Sequence, residues 1–282
     1  MTWTRLTDSS SILEPDHPAW HGDSIAFDYL DDTQRSRLGY VRSDGTGAVL
    51  FADTSACKDV SPAWVRDGLV VYSSNKGAIG TDNYDIWYRD LAGGSIRRLT
   101  SFTELEFGPA PRPGFPSIVY TQGANPTRGR ITLIPDTAAA TLTRLYLTPG
   151  SMVAGEAAWD EAGNRVCFSA EEIDGSRHIW VITLSGTSVT STKQITTGAI
   201  HDTSPRFSPD GTKILFVSDR NGRSGVWWVS DAGEANGLEL ISFEDPGATI
   251  RSPSWSPDGK QIVLSSNGRG ARAIWVLSGL GL

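Results

Sequence analysis

The chain of 282 residues carries 32 acidic and 25 basic side chains, which gives a net charge of −7 at neutral pH. This balance does not provide the basic surface that nucleic-acid binding requires, and it argues against an anionic membrane surface. We therefore expect neither nucleic acid nor a membrane as a partner. Hydrophobic residues make up 39% of the chain, enough for a large core, and no run of 18 apolar residues predicts a membrane-spanning helix.

The N-terminus and the cysteines bear on the compartment. Residues Met1–Arg5 lack a charged segment followed by an apolar stretch, so no signal peptide is visible. The compartment stays open: cytoplasmic if the chain is full length, periplasmic if a leader has been trimmed. Cys57 and Cys167 show no disulfide spacing, which predicts two free thiols.

Predicted strands follow one another along the whole chain in a repeating order. Each unit opens with a short strand, here called A, that carries a variant of Ser-Pro-x-Trp. Its last position falls at residues 20, 64, 111, 159, 207 and 255, so the period is 44 to 48 residues. The copies are His17–Trp20, Ser61–Trp64, Gly108–Pro111, Glu156–Trp159, Ser204–Phe207 and Ser252–Trp255.

Three further strands, B, C and D, are predicted in each unit from β-branched and aromatic residues in alternation, and little helix is expected. The B strands are Ser24–Phe27, Leu69–Tyr72, Ile118–Tyr120, Val166–Phe168, Ile214–Val217 and Ile262–Leu264. The C strands are Leu38–Val41, Ile86–Tyr88, Ile131–Ile134, Ile179–Ile182, Val226–Val229 and Ile274–Leu277. The D strands are Ala48–Phe51, Ile96–Leu99, Leu142–Leu147, Gln194–Thr196 and Leu238–Ile241.

Four strands in a unit of this length predict an all-β fold, a β-propeller with one four-stranded antiparallel blade per unit. Six units predict a single six-bladed domain over residues 1–282, with blades starting near 17, 61, 108, 156, 204 and 252. The sixth unit has no D strand. Thr4–Thr7 matches Arg97–Thr100 of the second unit, so residues 3–7 are predicted to close the ring beside Ile274–Leu277.

The units resemble the WD-like repeats of TolB-type propellers. Ser204–Gly211 and Ser252–Gly259 share Ser-Pro-x-Trp/Phe-Ser-Pro-Asp-Gly, and Ser218–Gly222 follows the next strand. The resemblance implies a six-bladed propeller and a binding role, since TolB binds partner proteins. Similar propellers occur in prolyl-oligopeptidase-like peptidases and oligogalacturonate lyases. No Gly-x-Ser-x-Gly nucleophile motif of a hydrolase is present.

The connections predict which face of the ring binds. D–A and B–C connections share one side and are longer than the A–B turns, and binding sites favour long loops on a rigid scaffold. The D–A loops hold eleven acids against Lys58 and Arg251, so this face should attract a cation, unless the acids serve only solubility. The acids are Asp8, Glu14, Asp16, Asp53, Asp59, Glu104, Glu106, Glu156, Asp202, Glu244 and Asp245.

Candidate contact residues cluster at the predicted mouth of the channel. The candidates for binding a ligand or partner are Asp16, His17, Asp59, Glu106, Glu156, His201, Asp202 and Arg251. His17, Glu156 and His201 are candidate ligands of a divalent metal ion, because imidazole with carboxylate suits a transition metal. No local ligand spacing supports this site, and no other cofactor is predicted.

Two functions are compatible with the sequence. The favoured one is a non-catalytic binding or scaffold propeller that holds a protein or peptide partner, or a cationic ligand, on the acidic face. The alternative is a carbohydrate-active lyase or hydrolase with a metal or a His–carboxylate site at the channel mouth, acting on a small molecule or carbohydrate. No residue is assigned a catalytic role.

The tryptophans divide into two groups. Eight recur at equivalent positions of the units, which predicts packing between blades. Trp3 and Trp227 break this pattern and are the better candidates for exposed contacts, with packing of the closing strand as the alternative for Trp3.

Overall fold

A computed structural model describes residues 1–8, 12–51, 56–77, 83–198, 200–231, 238–242 (backbone only) and 247–280. These residues form strands and turns, with no α-helix among them. The strands of the first half are β1 (Thr2–Arg5), β2 (Leu13–His21), β3 (Ser24–Leu30), β4 (Ser36–Arg42), β5 (Val49–Leu50), β6 (Asp59–Arg66), β7 (Leu69–Ser74), β8 (Asp85–Asp90), β9 (Ile96–Arg98), β10 (Glu106–Pro111), β11 (Ile118–Asn125), β12 (Arg128–Ile134) and β13 (Leu145–Tyr146). Those of the second half are β14 (Val153–Trp159), β15 (Arg165–Glu171), β16 (Arg177–Ser185), β17 (Ser188–Gln194), β18 (Asp202–Phe207), β19 (Lys213–Ser218), β20 (Gly225–Ser230), β21 (Leu238–Ser242), β22 (Ile250–Trp255), β23 (Ile262–Ser266) and β24 (Ala273–Ser278).

The strands form antiparallel sheets that follow the chain order. Four sheets have four strands each: β2-β3-β4-β5, β6-β7-β8-β9, β18-β19-β20-β21 and β1-β24-β23-β22. An eight-stranded sheet runs β10-β11-β12-β14-β15-β16-β17, and β13 also pairs with β12. The inner strands contact one another in the cyclic order β2, β6, β10, β14, β18, β22 and back to β2. The chain is therefore an all-β propeller around a central channel.

The N-terminal strand closes the ring as predicted. Arg5 pairs with Trp275 in the antiparallel register of β1 and β24, and Thr2 pairs with Ser278. The pairing continues where the Leu6 N–H donates to the carbonyl of Ile274 at 2.9 Å. The prediction for residues 3–7 is confirmed, and the outer edge of β24 is covered by the chain's own start.

A bulge interrupts every inner strand near its beginning, where the register against the next strand shifts. The residue at the bulge has a positive φ, between 48° and 60°. Five of these residues are not glycine, although the left-handed region is uncommon for other residues. Proline mostly follows, which suits a bulge because proline has no N–H to pair. The six residues are His17, Ser61, Gly108, Glu156, Ser204 and Ser252.

The hydrophobic core lies between neighbouring sheets. One cluster joins Cys167 and Ile179 of the eight-stranded sheet to Phe207 and Phe216 of the next. Trp227 belongs to this cluster and is buried, so the prediction that it is exposed is wrong. Trp227 and its neighbour on β20 point to opposite faces of the sheet, and both faces are covered by adjoining sheets.

Two smaller predictions had different outcomes. Cys57 and Cys167 are free and buried, as the absence of disulfide spacing predicted. The fourth D strand spans Ser188–Gln194, whereas Gln194–Thr196 was predicted. Most of its side chains are exposed and polar, so the alternation that reveals buried strands is missing there.

Candidate functional site

A cavity of about 510 Å³ occupies the channel at the end where the inner strands begin. All six bulge residues line it. The rest of the wall is mostly small and apolar: Pro18, Ala19, Pro62, Ala63, Pro109, Ala110, Pro111, Pro113, Pro126, Ala157, Ala158 and Trp159. An apolar pocket of this size with a few polar groups is the usual form of a ligand site.

The imidazole of His17 lies close to two carboxylates, those of Asp28 and Asp16. Its Nδ1 lies 2.7 Å from Oδ2 of Asp28, which also accepts the backbone N–H of Ser61 at 2.6 Å. Burial opposes protonation of the imidazole, but the carboxylates of Asp28 and Asp16 outweigh it and raise the pKa of His17 to about 9. This shift favours the imidazolium form at neutral pH, in which Nδ1 donates to Asp28.

Asp16 joins the first and last inner strands. Its Oδ1 accepts the backbone N–H of His17 at 2.8 Å and the hydroxyl of Ser252 at 3.0 Å. Its Oδ2 lies 3.4 Å from the guanidinium of Arg251. Burial opposes ionisation of Asp16, but these partners hold its pKa below the ordinary value. The structure thus brings together three predicted residues, Asp16, His17 and Arg251.

Glu156 lies across the cavity in a network of hydroxyl groups. Its Oε1 accepts the hydroxyl of Ser204 at 3.0 Å, and its Oε2 accepts the hydroxyl of Ser169 at 2.6 Å. Ser169 in turn accepts a bond from Arg177 Nη1 at 2.9 Å. Both carboxylate oxygens therefore have donors within the protein.

Of the eight predicted residues, only His17 and Glu156 line the cavity; Asp16 and Arg251 lie beside it, and the other four lie elsewhere. Asp59, Glu106 and Asp202 are almost completely buried inside the sheets. Asp202 is held by the guanidinium of Arg220 at 2.8 Å, and Glu106 accepts the hydroxyl of Thr100. His201 is exposed and lies 3.3 Å from Asp219.

The candidate metal ligands do not form a cluster. In the described part of the chain, no group of three or more His, Cys, Asp or Glu side chains is arranged to hold a metal ion. His17 and Glu156 share the cavity but each is engaged with other groups. His201 is absent from the cavity wall.

Four of the eight loop acids in the described residues pair with a neighbouring arginine. Glu14 lies 3.1 Å from Arg272, and Glu104 lies 2.9 Å from Arg144. Asp202 and Asp16 have arginine partners as described above. Three loop acids of the predicted acidic face lie outside the described residues: Asp53, Glu244 and Asp245.

Arg206 is a cavity residue that the sequence argument missed. It lies two residues after the bulge of β18 and lines the cavity. The signal was available in the repeat, since the equivalent positions of the other units hold only Ala or Ser. These positions are Ala19, Ala63, Ala110, Ala158 and Ser254.

Fold and site together define a β-propeller with a ligand-sized cavity in its central channel. The sequence profile of the TolB beta propeller domain matches residues 136–279, just over half of the chain. The chain therefore belongs to the TolB beta propeller domain family. No helix among the described residues is long and apolar enough to cross a membrane.

Relatives and solved structures show the same likeness. The chain is 26% identical over 215 residues to a TolB homologue of Chlorobium chlorochromatii, covering 68% of this chain and 46% of that protein. The chain thus spans less than half the length of the curated relatives it matches. The crystal structure of TolB from Acinetobacter baumannii matches with a TM-score of 0.68 at 22% identity, over 92% of this chain and 65% of the other. An oligogalacturonate lyase in complex with manganese matches with a TM-score of 0.63 at 13% identity, over 98% and 92%, which shows the fold alone.

Proposed function

We propose that this protein is a binding propeller that takes an extended segment of a protein or peptide partner into the channel cavity. The observation that carries the proposal is the cavity itself: about 510 Å³ with walls of Ala and Pro and a few fixed polar groups. Asp16, His17, Glu156 and Arg251 would supply the polar contacts at its mouth. Membership of the TolB family supports a role in binding.

The proposal includes six blades in one domain over residues 1–282. The eight-stranded sheet is counted as two blades, because the single pairing of Gly129 with Ala154 joins its two halves. Six bulges at equivalent places of six inner strands support this count. The blades then start near 17, 61, 108, 156, 204 and 252.

The chemistry of the cavity favours binding over proton transfer. A general base must be unprotonated when it acts, whereas Asp28 and Asp16 favour the imidazolium form of His17. The two oxygens of Glu156 already accept bonds from serine hydroxyls. These groups are suited to hold a ligand by charge and hydrogen bonds.

The rim of the cavity is rigid on one side. The turn between β11 and β12 reaches over β14 and contributes Pro126 and Thr127 to the cavity wall. The carbonyl of Pro126 accepts the backbone N–H of Glu156 at 3.3 Å, and that of Thr127 accepts Nη2 of Arg177 at 2.8 Å. A rim fixed in this way lowers the ordering cost of binding.

A blocked rim tests the proposal. A displayed library of linear peptides is selected on the immobilised protein, and enriched peptides are then measured against two variants. Thr127→Trp narrows the mouth, and we expect it to weaken binding at least about tenfold. Ala124→Trp places the same bulk at an exposed position of β11 in the same hairpin and should bind like the wild type.

Two results would count against the mouth as the binding site. The first is equal affinity of the enriched peptides for Thr127→Trp and the wild type. The second is a selection that enriches no peptide above an unrelated immobilised protein.

A further inference from the structure

Arg206 lies at a constriction between two cavities of the channel. The second cavity, of about 610 Å³, opens toward the A–B turns and is lined by aromatic residues that include Trp20 and Trp255. Three residues line both cavities: Trp159, Arg206 and Ser254. A ligand entering from either end therefore meets the guanidinium of Arg206.

The guanidinium of Arg206 is largely unused by the protein. Its Nη1 donates to the carbonyl of Pro205 at 2.8 Å, a bond to the preceding residue. Among the described residues, no carboxylate oxygen lies within 4 Å of it. Arg37, Arg177, Arg220 and Arg272 each have such a partner. The buried Arg112 has none in the described structure, but its guanidinium donates to the carbonyls of Gly163 and Gly186.

The nearby acid does not take the role of a partner. Glu156 shares the cavity with Arg206, but its two oxygens accept the hydroxyls of Ser204 and Ser169. Arginine stays protonated in proteins even though burial lowers the pKa of Arg206. The side chain of Arg206 is half-buried, so a carboxylate bound in the channel would meet a partly solvated guanidinium that has no carboxylate partner among the described residues.

The surroundings indicate which anion fits. A planar guanidinium with free N–H groups suits a carboxylate, which it binds through two parallel bonds. The walls above Arg206 are mostly Ala and Pro. Those below combine four aromatic side chains with serines and with the polar side chains of His21 and Glu161. Glu156, the carboxylate whose charge acts on Arg206, would repel a second negative charge on the ligand.

We propose that Arg206 anchors a ligand that has an apolar body and a single carboxylate, held at the constriction of the channel. This deepens the proposed function and rests on it where the ligand is a peptide, whose C-terminus or acidic side chain would supply the carboxylate. A small organic acid offers the same chemistry. The repeat supports a specific role, since five units have Ala or Ser where this unit has Arg206.

The test uses 3-phenylpropionate as the probe, with its uncharged amide and inorganic phosphate as comparisons. Binding is followed by tryptophan fluorescence and by titration calorimetry. We expect the carboxylate to bind with a Kd of about 1 mM or lower, and the amide and phosphate at least about tenfold more weakly. Arg206→Met should lose carboxylate binding. Arg206→Lys should keep only part of it, because an ammonium group cannot form the two parallel hydrogen bonds of a guanidinium. Arg66→Met, an exposed arginine away from both cavities, is the matched control.

Stability separates a ligand anchor from a structural residue. Because Arg206 has no ion-pair partner in the described structure, Arg206→Met should keep or raise the Tm. A clear fall in Tm would show a structural role and overturn the proposal. The proposal would also be overturned if the wild type bound no 3-phenylpropionate, or if Arg206→Met bound it as tightly as the wild type. Binding of the amide or of phosphate as tight as that of 3-phenylpropionate would overturn it as well.

The source of the carboxylate is distinguished by peptides. Enriched peptides are resynthesised with a free or an amidated C-terminus, and with internal Asp or Glu replaced by Asn or Gln. Loss of binding on amidation or on replacement identifies a peptide carboxylate. If 3-phenylpropionate binds through Arg206 while no peptide is enriched, the ligand is a small acid and the peptide proposal fails alone. If peptides need the open mouth but bind Arg206→Met unchanged, the binding function stands and the anchor is refuted.

Discussion

Glu106 gives the sharpest test of the buried electrostatics. Its carboxyl group is completely buried at the start of β10, where Oε2 accepts the hydroxyl of Thr100. The hydroxyl of Tyr120 is also buried and interacts with this carboxyl group, which favours the ionised form by less than burial opposes it. Burial raises the pKa of Glu106 from 4.5 to about 7.

The raised pKa makes the fold most stable when Glu106 is protonated. In the unfolded chain the group ionises near pH 4.5, whereas in the folded chain it ionises near pH 7. The stabilisation is therefore complete below pH 4.5 and is lost as the pH rises through 7. Each tenfold difference in proton affinity is worth about 1.4 kcal/mol, so the loss is about 3 kcal/mol.

Glu106→Gln should remove this loss. The neutral amide can accept from Thr100 and has a donor for the hydroxyl of Tyr120. At about pH 8 the variant should exceed the wild type in free energy of unfolding by about 2 to 3 kcal/mol, and at about pH 5 the two should nearly agree. Urea unfolding followed by tryptophan fluorescence measures both values.

Glu104→Gln is the matched control for Glu106→Gln. Glu104 is half-exposed and paired with Arg144, which lowers its pKa, so its replacement should leave the fall in stability from pH 5 to pH 8 in place. If the difference between wild type and Glu106→Gln stayed constant across this range, the proposed ionisation of Glu106 would be refuted.

Three further predictions concern packing. Gly155→Ala should cost about 3 kcal/mol, measured by urea unfolding, because a Cβ there would overlap the backbone of the β11–β12 turn, whereas Gly150→Ala has room and should be nearly neutral. Trp3→Ala should lower the free energy of unfolding by about 2 kcal/mol, because Trp3 packs edge-on against Trp275 with ring centres 5.7 Å apart; an unchanged Tm would show that the closing strand contributes little. Cys167 should resist a thiol reagent at about pH 8 until the protein unfolds, because burial raises its pKa to about 12; rapid modification of the native protein would contradict its burial.

The sequence predicts the fold well because the fold is repeated. The period of the Ser-Pro-x-Trp variants places the inner strands, and the likeness of Thr4–Thr7 to Arg97–Thr100 predicts the closing strand. The alternation of apolar and polar residues does not reveal a strand whose two faces are both exposed, as in Ser188–Gln194. An outer strand of that kind is formed by pairing with its neighbour, and its own side chains carry little information.

The site is less predictable because its contacts join distant parts of the chain. His17 was found, but its partner Asp28 lies on the next strand and was not a candidate. Asp16 meets Ser252 only because the ring closes. Burial also depends on the fold. Glu106 and Asp202 were predicted to lie in loops, but the inner strands start earlier than predicted and include both residues, which are buried.

Departures from the repeat fall on three of the inner strands, β2, β14 and β18. Packing between blades requires the same residues in every unit, so a channel-facing residue that differs from its equivalents is free to serve a ligand. At the bulge, the first and fourth units replace Ser or Gly with His17 and Glu156, and the fifth unit adds Arg206 two residues later. The second and third units contribute only Ser61 and Gly108 at the bulge. A nearly symmetric ring therefore carries an asymmetric set of charges, which would hold a ligand in one orientation and distinguish its two ends.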